Sequence, residues 1–173
     1  MADDESPRTA PAKKATPKSS RLGASGETVR LNIRRLRDAQ GISGAQLSAT
    51  MKRLGRPIPL VGIQRIESGE RRVDVDDLMA FAVALNVSPA TLLMPANNAD
   101  GTEVQTGKEL VPITGWHQPI SARPVWDWIG AEKPLIHGTD FSFYSLAWPR
   151  WVQELRLSVI KFPGEDGYAD GDD

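Results

Sequence analysis

The sequence predicts an all-α fold over residues 27–96, built from five short helices, followed by a Trp-rich, mostly helical or irregular C-terminal region. Three observations carry this. Apolar side chains recur at helical spacing through the middle of the chain. Each apolar run is bounded by residues that start or stop helices. Five such runs fall within 70 residues, which makes one compact domain.

The first helix follows from Val29, Ile33 and Leu36 and closes at Gly41. Ser43 is an N-cap for the second, whose apolar face is Leu47, Met51 and Leu54. Gly55-Arg56-Pro57-Ile58-Pro59 ends it, because proline lacks the N–H donor and clashes with the preceding turn. The third helix spans about Leu60 to Glu67, buries Ile63 and Ile66, and ends on Gly69 in a left-handed cap. Asp74 caps the fourth, with Asp76 and Asp77 in its positive first turn. Its buried stripe is Leu78, Ala82 and Leu85, helped by Phe81. Ser88-Pro89 opens a fifth helix holding Leu92 and Leu93, and Pro95 stops it.

Around this domain, residues 1–26 read as a disordered N-terminal arm, since Leu22 is the one large apolar side chain after Met1. Residues 97–108 form a polar linker. Residues 109–162 are the Trp-rich region, and 163–173 an acidic disordered tail. In the Trp-rich region prolines and glycines interrupt the apolar residues, so short helices and loops are expected. A last helix after Pro149 carries Trp151, Val152, Leu155 and Val159.

The chain of 173 residues has a formal charge of −1, but the charge is uneven. Residues 1–26 are net +2. Residues 27–96 carry ten basic and seven acidic groups, net +3, and residues 97–173 six and twelve, net −6. A mildly basic middle and an acidic end suit a module that faces a polyanion beside one that does not. Ordinary surface variation is the plainer reading of the same charge. The chain has no cysteine, which excludes disulfides, thiolate metal sites and cysteine nucleophiles. No signal peptide or membrane-length apolar run is visible. A soluble, intracellular protein is expected.

A short third helix with polar exposed side chains and a glycine stop is the build of a helix that reads a DNA groove. Residues Ile33, Leu36, Arg37, Gly41, Ser43, Leu47, Ile63, Arg65, Ile66, Glu67, Gly69, Leu78, Ala82, Leu85, Val87 and Leu92 stand in order along this stretch. In that pattern the chain resembles the Cro/C1-type (XRE family) helix-turn-helix regulators, whose domain is lambda-repressor-like. The Gly55–Pro59 run and Gly69–Leu78 look like an actinobacterial branch of that family. One departure is the spacing between Leu47 and Ile63, longer than in the short family form. It is read as an added helical turn on the second helix plus a longer turn.

The resemblance implies roles. Leu60, Val61, Gln64 and Arg65 would face the bases. Arginine can donate twice to guanine and glutamine suits adenine. Leu60 and Val61 would either touch thymine methyls or pack against the longer turn. Ser43, Gly44, Arg56, Ser68, Arg71 and Arg72 would contact phosphates, although Gly44 stands where relatives commonly have glutamine. Arg37 and Glu67 match a structural ion pair, with Arg37 retaining donors for a phosphate.

The five tryptophans, Trp116, Trp126, Trp128, Trp148 and Trp151, read first as core of the C-terminal region. Next in order, Trp126, Trp128, Trp148 and Trp151 are candidates for a subunit interface. His117 and His137, with Asp127 and Asp140, fit no metal spacing, and no catalytic motif is present. No enzyme, no cofactor and no metal is expected. The expected protein is a transcriptional repressor that binds an inverted repeat of double-stranded DNA as a homodimer. It would be cytoplasmic, with no membrane partner, and nucleoid-associated when bound. Its C-terminal region would take a protein partner or a small-molecule effector. Two alternatives stand beside this. One is a mobile-element immunity repressor or antitoxin-like regulator. The other is a protein-interaction module that keeps the scaffold without reading DNA.

Overall fold

The computed structural model describes residues 22–98, 100–136, 138 and 140–159. Most of the expected N-terminal arm, the acidic tail and His137 lie outside the described residues. Helices α1 (Ala24–Ala39), α2 (Gly44–Arg53), α3 (Leu60–Glu67), α4 (Val75–Ala84) and α5 (Pro89–Leu93) come first. Strands β1 (Leu110–Val111) and β2 (Ile120–Ser121) follow, then α6 (Ala122–Ile129), α7 (Asp140–Ala147) and α8 (Arg150–Val159). Among the described residues no helix is long and apolar enough to cross a membrane.

The first five helices close around one core of Val29, Ile33, Leu47, Met51, Ile58, Ile63, Ile66, Phe81, Ala82, Leu85 and Leu92. Their ends are set by local chemistry. The Ser43 hydroxyl accepts the Gln46 N–H while the Gln46 side chain accepts the Ser43 N–H, a reciprocal capping box. Asp74 caps α4 by accepting the Asp77 N–H at 2.7 Å, and Ser88 caps α5 ahead of Pro89. Gly69 sits at φ +84°, a left-handed conformation that a Cβ disfavours, and it lets the chain turn back after α3. Asn32 is buried and donates to the carbonyls of Thr91, Leu92 and Met94. It thereby satisfies acceptors at the end of α5 that no helical N–H can reach.

Two boundaries depart from expectation. Helix α1 opens at Ala24, ahead of Glu27, and Leu22 is half-buried beside it. Leu54 does not join the buried face of α2. The helix stops at Arg53, Gly55 takes φ +78°, and Leu54 turns outward to be 43% exposed. Its place in the core is taken by Ile58, 2% exposed, whose carbonyl accepts from the Ser48 hydroxyl at 2.6 Å. The long approach to α3 is therefore anchored to α2 at its far end.

Beyond α5, the Val104 N–H donates to the Ala96 carbonyl and the Asn98 N–H to the Thr102 carbonyl, so the chain doubles back. Strands β1 and β2 then pair antiparallel, Leu110 opposite Ser121 and Val111 opposite Ile120. This hairpin is absent from the sequence expectation, because two-residue strands are too short to leave an alternating pattern. A second core forms from Val111, Ile113, Ala122 and Val125, with Met94, Val104, Ile120, Ile129 and Leu135 packed against it. Met94 carries that core to the end of α5.

Candidate nucleic-acid interface

Helix α3 has one buried side and one open side. Gly62, Ile63 and Ile66 are buried, whereas Leu60, Val61, Gln64 and Arg65 are exposed. Leu60 and Val61 are 43% and 52% exposed, so both present apolar surface on the open side. The N-terminal ends of α2 and α3 meet closely. A Cβ on Gly44 would lie 2.9 Å from Leu60 Cδ1, so a larger residue at position 44 would turn the Leu60 side chain aside. The positive end of α2, with the amides of Gly44 and Ala45, thus adjoins the open side of α3.

The exit of α3 is held by a nearly buried ion pair. Arg37 Nε donates to Glu67 Oε1 at 2.6 Å and Arg37 Nη2 to Oε2 at 2.9 Å. The two side chains are 14% and 13% exposed. The remaining nitrogen, Nη1, reaches the Ile42 carbonyl at 3.0 Å and Asp38 at 2.8 Å. The Glu67 hydrogen bond, first among the causes, raises the Arg37 pKa above its ordinary value. Each of its three nitrogens thus has an internal partner, and of the five N–H groups these bonds leave one on Nη2 for the phosphate contact that the resemblance implies. Arg30 adds a bond from Nη1 to the Glu67 carbonyl at 3.0 Å.

Of the residues expected at phosphates, Ser43 is exposed and Gly44 half-exposed at the start of α2, and Arg72 is exposed after α3. Ser68, Arg56 and Arg71 have partners within the protein. The Ser68 hydroxyl is shared between the Arg65 carbonyl and Glu70. Arg56 Nε donates to Asp77 Oδ1 at 2.7 Å and its Nη2 to Asp74 Oδ2 at 2.6 Å. Arg71 Nη2 donates to Asp77 Oδ2 at 2.9 Å. Asp77, read from the sequence only as a dipole partner, is 1% exposed. The signal that could have found it is its spacing. Asp77, Phe81 and Leu85 fall on one helical stripe, so a carboxylate there faces the core and needs partners.

The tryptophans do not fill the second core, contrary to the first reading of them. Trp116, Trp126, Trp128 and Trp151 are 40%, 47%, 41% and 64% exposed. Val111 on β1, Ile113 just after it, and Ala122 and Val125 on α6 supply the buried cluster instead. Trp148 is half-buried and has internal partners. Its Nε1 donates to the Ala131 carbonyl at 2.6 Å, Tyr144 lies 4.5 Å away between ring centroids, and the Arg156 guanidinium sits 4.4 Å from its ring. A shallow cleft of about 370 Å³ lies among Trp116, Trp128, Leu135 and Phe143. Asp127 holds Arg123 at 2.7 Å and Lys133 at 3.5 Å.

Helices α2 and α3, joined by a turn and braced by α1 and α4, define the class of domain that places one helix in a DNA groove: a helix-turn-helix. Residues 33–92 match the family model described as helix-turn-helix. The match falls on the stretch that carries the Cro/C1-type (XRE family) resemblance, and it supports a DNA-binding regulator. Nothing among the curated proteins or the solved structures matches the chain.

Proposed function

We propose that the protein is a sequence-specific transcriptional repressor that binds an inverted repeat as a homodimer and acts by occupying a promoter. The observation that carries this reading is the open side of α3, where Gln64 and Arg65 stand exposed in a matched helix-turn-helix domain. Arg65 reads a guanine and Gln64 an adenine, with Leu60 and Val61 against thymine methyls. The amides of Gly44 and Ala45, with Ser43 and Arg72, contact phosphates and fix the register. Arg56 and Arg71 act chiefly inside the protein. Trp126, Trp128 and Trp151 supply the contact with the second copy, as aromatics do at interface centres. The protein works in the cytoplasm, catalyses no reaction and needs no cofactor.

The test is selection of bound duplexes from a random pool. The expected product is a pair of inverted half-sites whose centres lie about 10 base pairs, roughly 34 Å, apart or at a multiple of that distance. A single half-site would overturn the dimer. A second reading, a protein-docking module, is favoured by the apolar Leu60 and Val61 at the head of α3. Failure to enrich any sequence, with salt-insensitive binding to random DNA, would establish it over the first.

A further inference from the structure

The turn that enters α3 and the loop that leaves it are tied to one carboxylate. Arg56 lies in the entry turn, Arg71 in the exit loop, and both guanidinium groups bond Asp77 in the first turn of α4, one to each oxygen. Asp77 is 1% exposed, and its own N–H donates to Asp74 Oδ1 at 2.7 Å. Asp74 in turn accepts from Arg56 at 2.6 Å. The contact runs across α3 itself. A Cβ on Gly62 would lie 3.2 Å from Arg71 Nη1 and 2.9 Å from Ile58 Cγ2. Arg71, which follows α3, therefore reaches back over the first turn of that helix, and the absence of a side chain at Gly62 gives room to Ile58 and Arg71 there. The Arg71 N–H also bonds the Arg65 carbonyl at 2.9 Å, which ties the clamp to the residue expected to read a base.

We propose that Asp77 is the positioning residue for the recognition helix: by holding Arg56 and Arg71 together it fixes both ends of α3 against α4 and so sets sequence preference. The proposal rests on the reading of α3 as a DNA-reading helix and goes beyond it, since Asp77 itself meets no DNA. The physical basis is the cost of a buried charge without partners. A carboxylate almost wholly removed from water requires its cations, and each cation belongs to a different end of α3. Loss of the Asp77 charge releases two guanidinium groups toward solvent, where they add cations for phosphate contact while the geometry of base reading is lost.

The test is Asp77→Asn in the full chain, with binding to a selected site and to a random duplex measured at several salt concentrations. Circular dichroism at the assay temperature fixes the folded fraction. The expected result is a fall in the ratio of specific to random affinity by at least about tenfold, comparable to the loss of discrimination at one base pair. Affinity for random duplex is expected to be unchanged or higher. A purely structural role would lower both affinities by the folded fraction and leave their ratio untouched, and an unchanged ratio overturns the proposal. If Asp77→Asn does not fold, Arg71→Gln takes its place, because it leaves Asp77 paired with Arg56. The same fall in ratio, smaller in size, is then expected, and an unchanged ratio again overturns it. A wild-type chain without preference for any sequence would overturn the DNA reading itself, and is told apart from failure of the clamp by occurring before any substitution.

Discussion

Replacing Glu67 with alanine tests the bracing of the recognition helix directly. The substitution removes both acceptors of Arg37 while leaving that arginine 14% exposed. Removing one partner of a fully buried ion pair costs about 3–5 kcal/mol, because the other charge is stranded. Here the stranded charge keeps two internal partners, Asp38 at 2.8 Å and the Ile42 carbonyl at 3.0 Å, and Asp38 is itself exposed. The expected loss is therefore about 2–3 kcal/mol. For a domain of this size that lowers Tm by about 10–20 °C. Urea denaturation followed by circular dichroism should show a lower midpoint with an unchanged slope. Arg37→Ala combined with Glu67→Ala should lose less than the two single changes together, since neither charge is then left alone. A loss under about 0.5 kcal/mol for Glu67→Ala would refute the reasoning and class the pair with exposed ion pairs that contribute little.

Three further outcomes are expected. Arg65→Ala should weaken binding to a selected site by about 1–3 kcal/mol and relax preference at one base pair, measured by competition with single-base variants of the site; a uniform loss across sequences would make Arg65 a phosphate contact. Arg72→Ala should reduce the salt dependence of binding by about one unit in log–log slope, whereas a slope equal to that of the wild type would remove Arg72 from the phosphate contacts. Asp74 is held below its ordinary pKa of 3.8, chiefly by the Asp77 N–H and then by other groups including Arg56; a lowered carboxylate pKa stabilises the fold above the unfolded value and loses that contribution as pH falls through the folded one, so Asp74→Asn, which can still cap α4, should flatten the loss of stability below about pH 4 in acid titrations followed by circular dichroism.

The helix ends were legible because each depends on residues adjacent in sequence. Ser43 with Gln46, Asp74 at the head of α4, and Gly69 after α3 act within a few positions, and so did the apolar stripes of α1 and α3. Features that depend on distant residues were not. Arg56 meets Asp77 across 21 positions, and nothing local to either residue distinguishes that pair from two solvated charges. Leu54 continued the stripe of α2, but Gly55 broke the helix one residue sooner and gave its place to Ile58. The exposure of the indoles was hidden for a related reason. Tryptophan is bulky enough to suggest a core, yet a core this small closes around valine, isoleucine and alanine. For the candidate interface, α3 and its outward residues were readable, while the internal engagement of Arg56, Arg71 and Ser68 was not.

Helix α1 begins on Gly23, which has no side chain to cap it. The missing acceptor comes from far along the chain, because the Ser25 N–H donates to Oγ1 of Thr114, 89 positions after it, at 3.0 Å, and the Thr114 N–H donates to Ser25 Oγ at 3.1 Å. The exchange closes a non-covalent ring around all five helices of the DNA-binding domain. Excising that domain at Pro95 would cut the ring and leave the first turn of α1 frayed. Such a fragment would retain α3 and its reading residues but start from a looser scaffold. Thr114→Ala, in the full chain, would open the same ring and loosen the footing of the helix on which Arg37 stands.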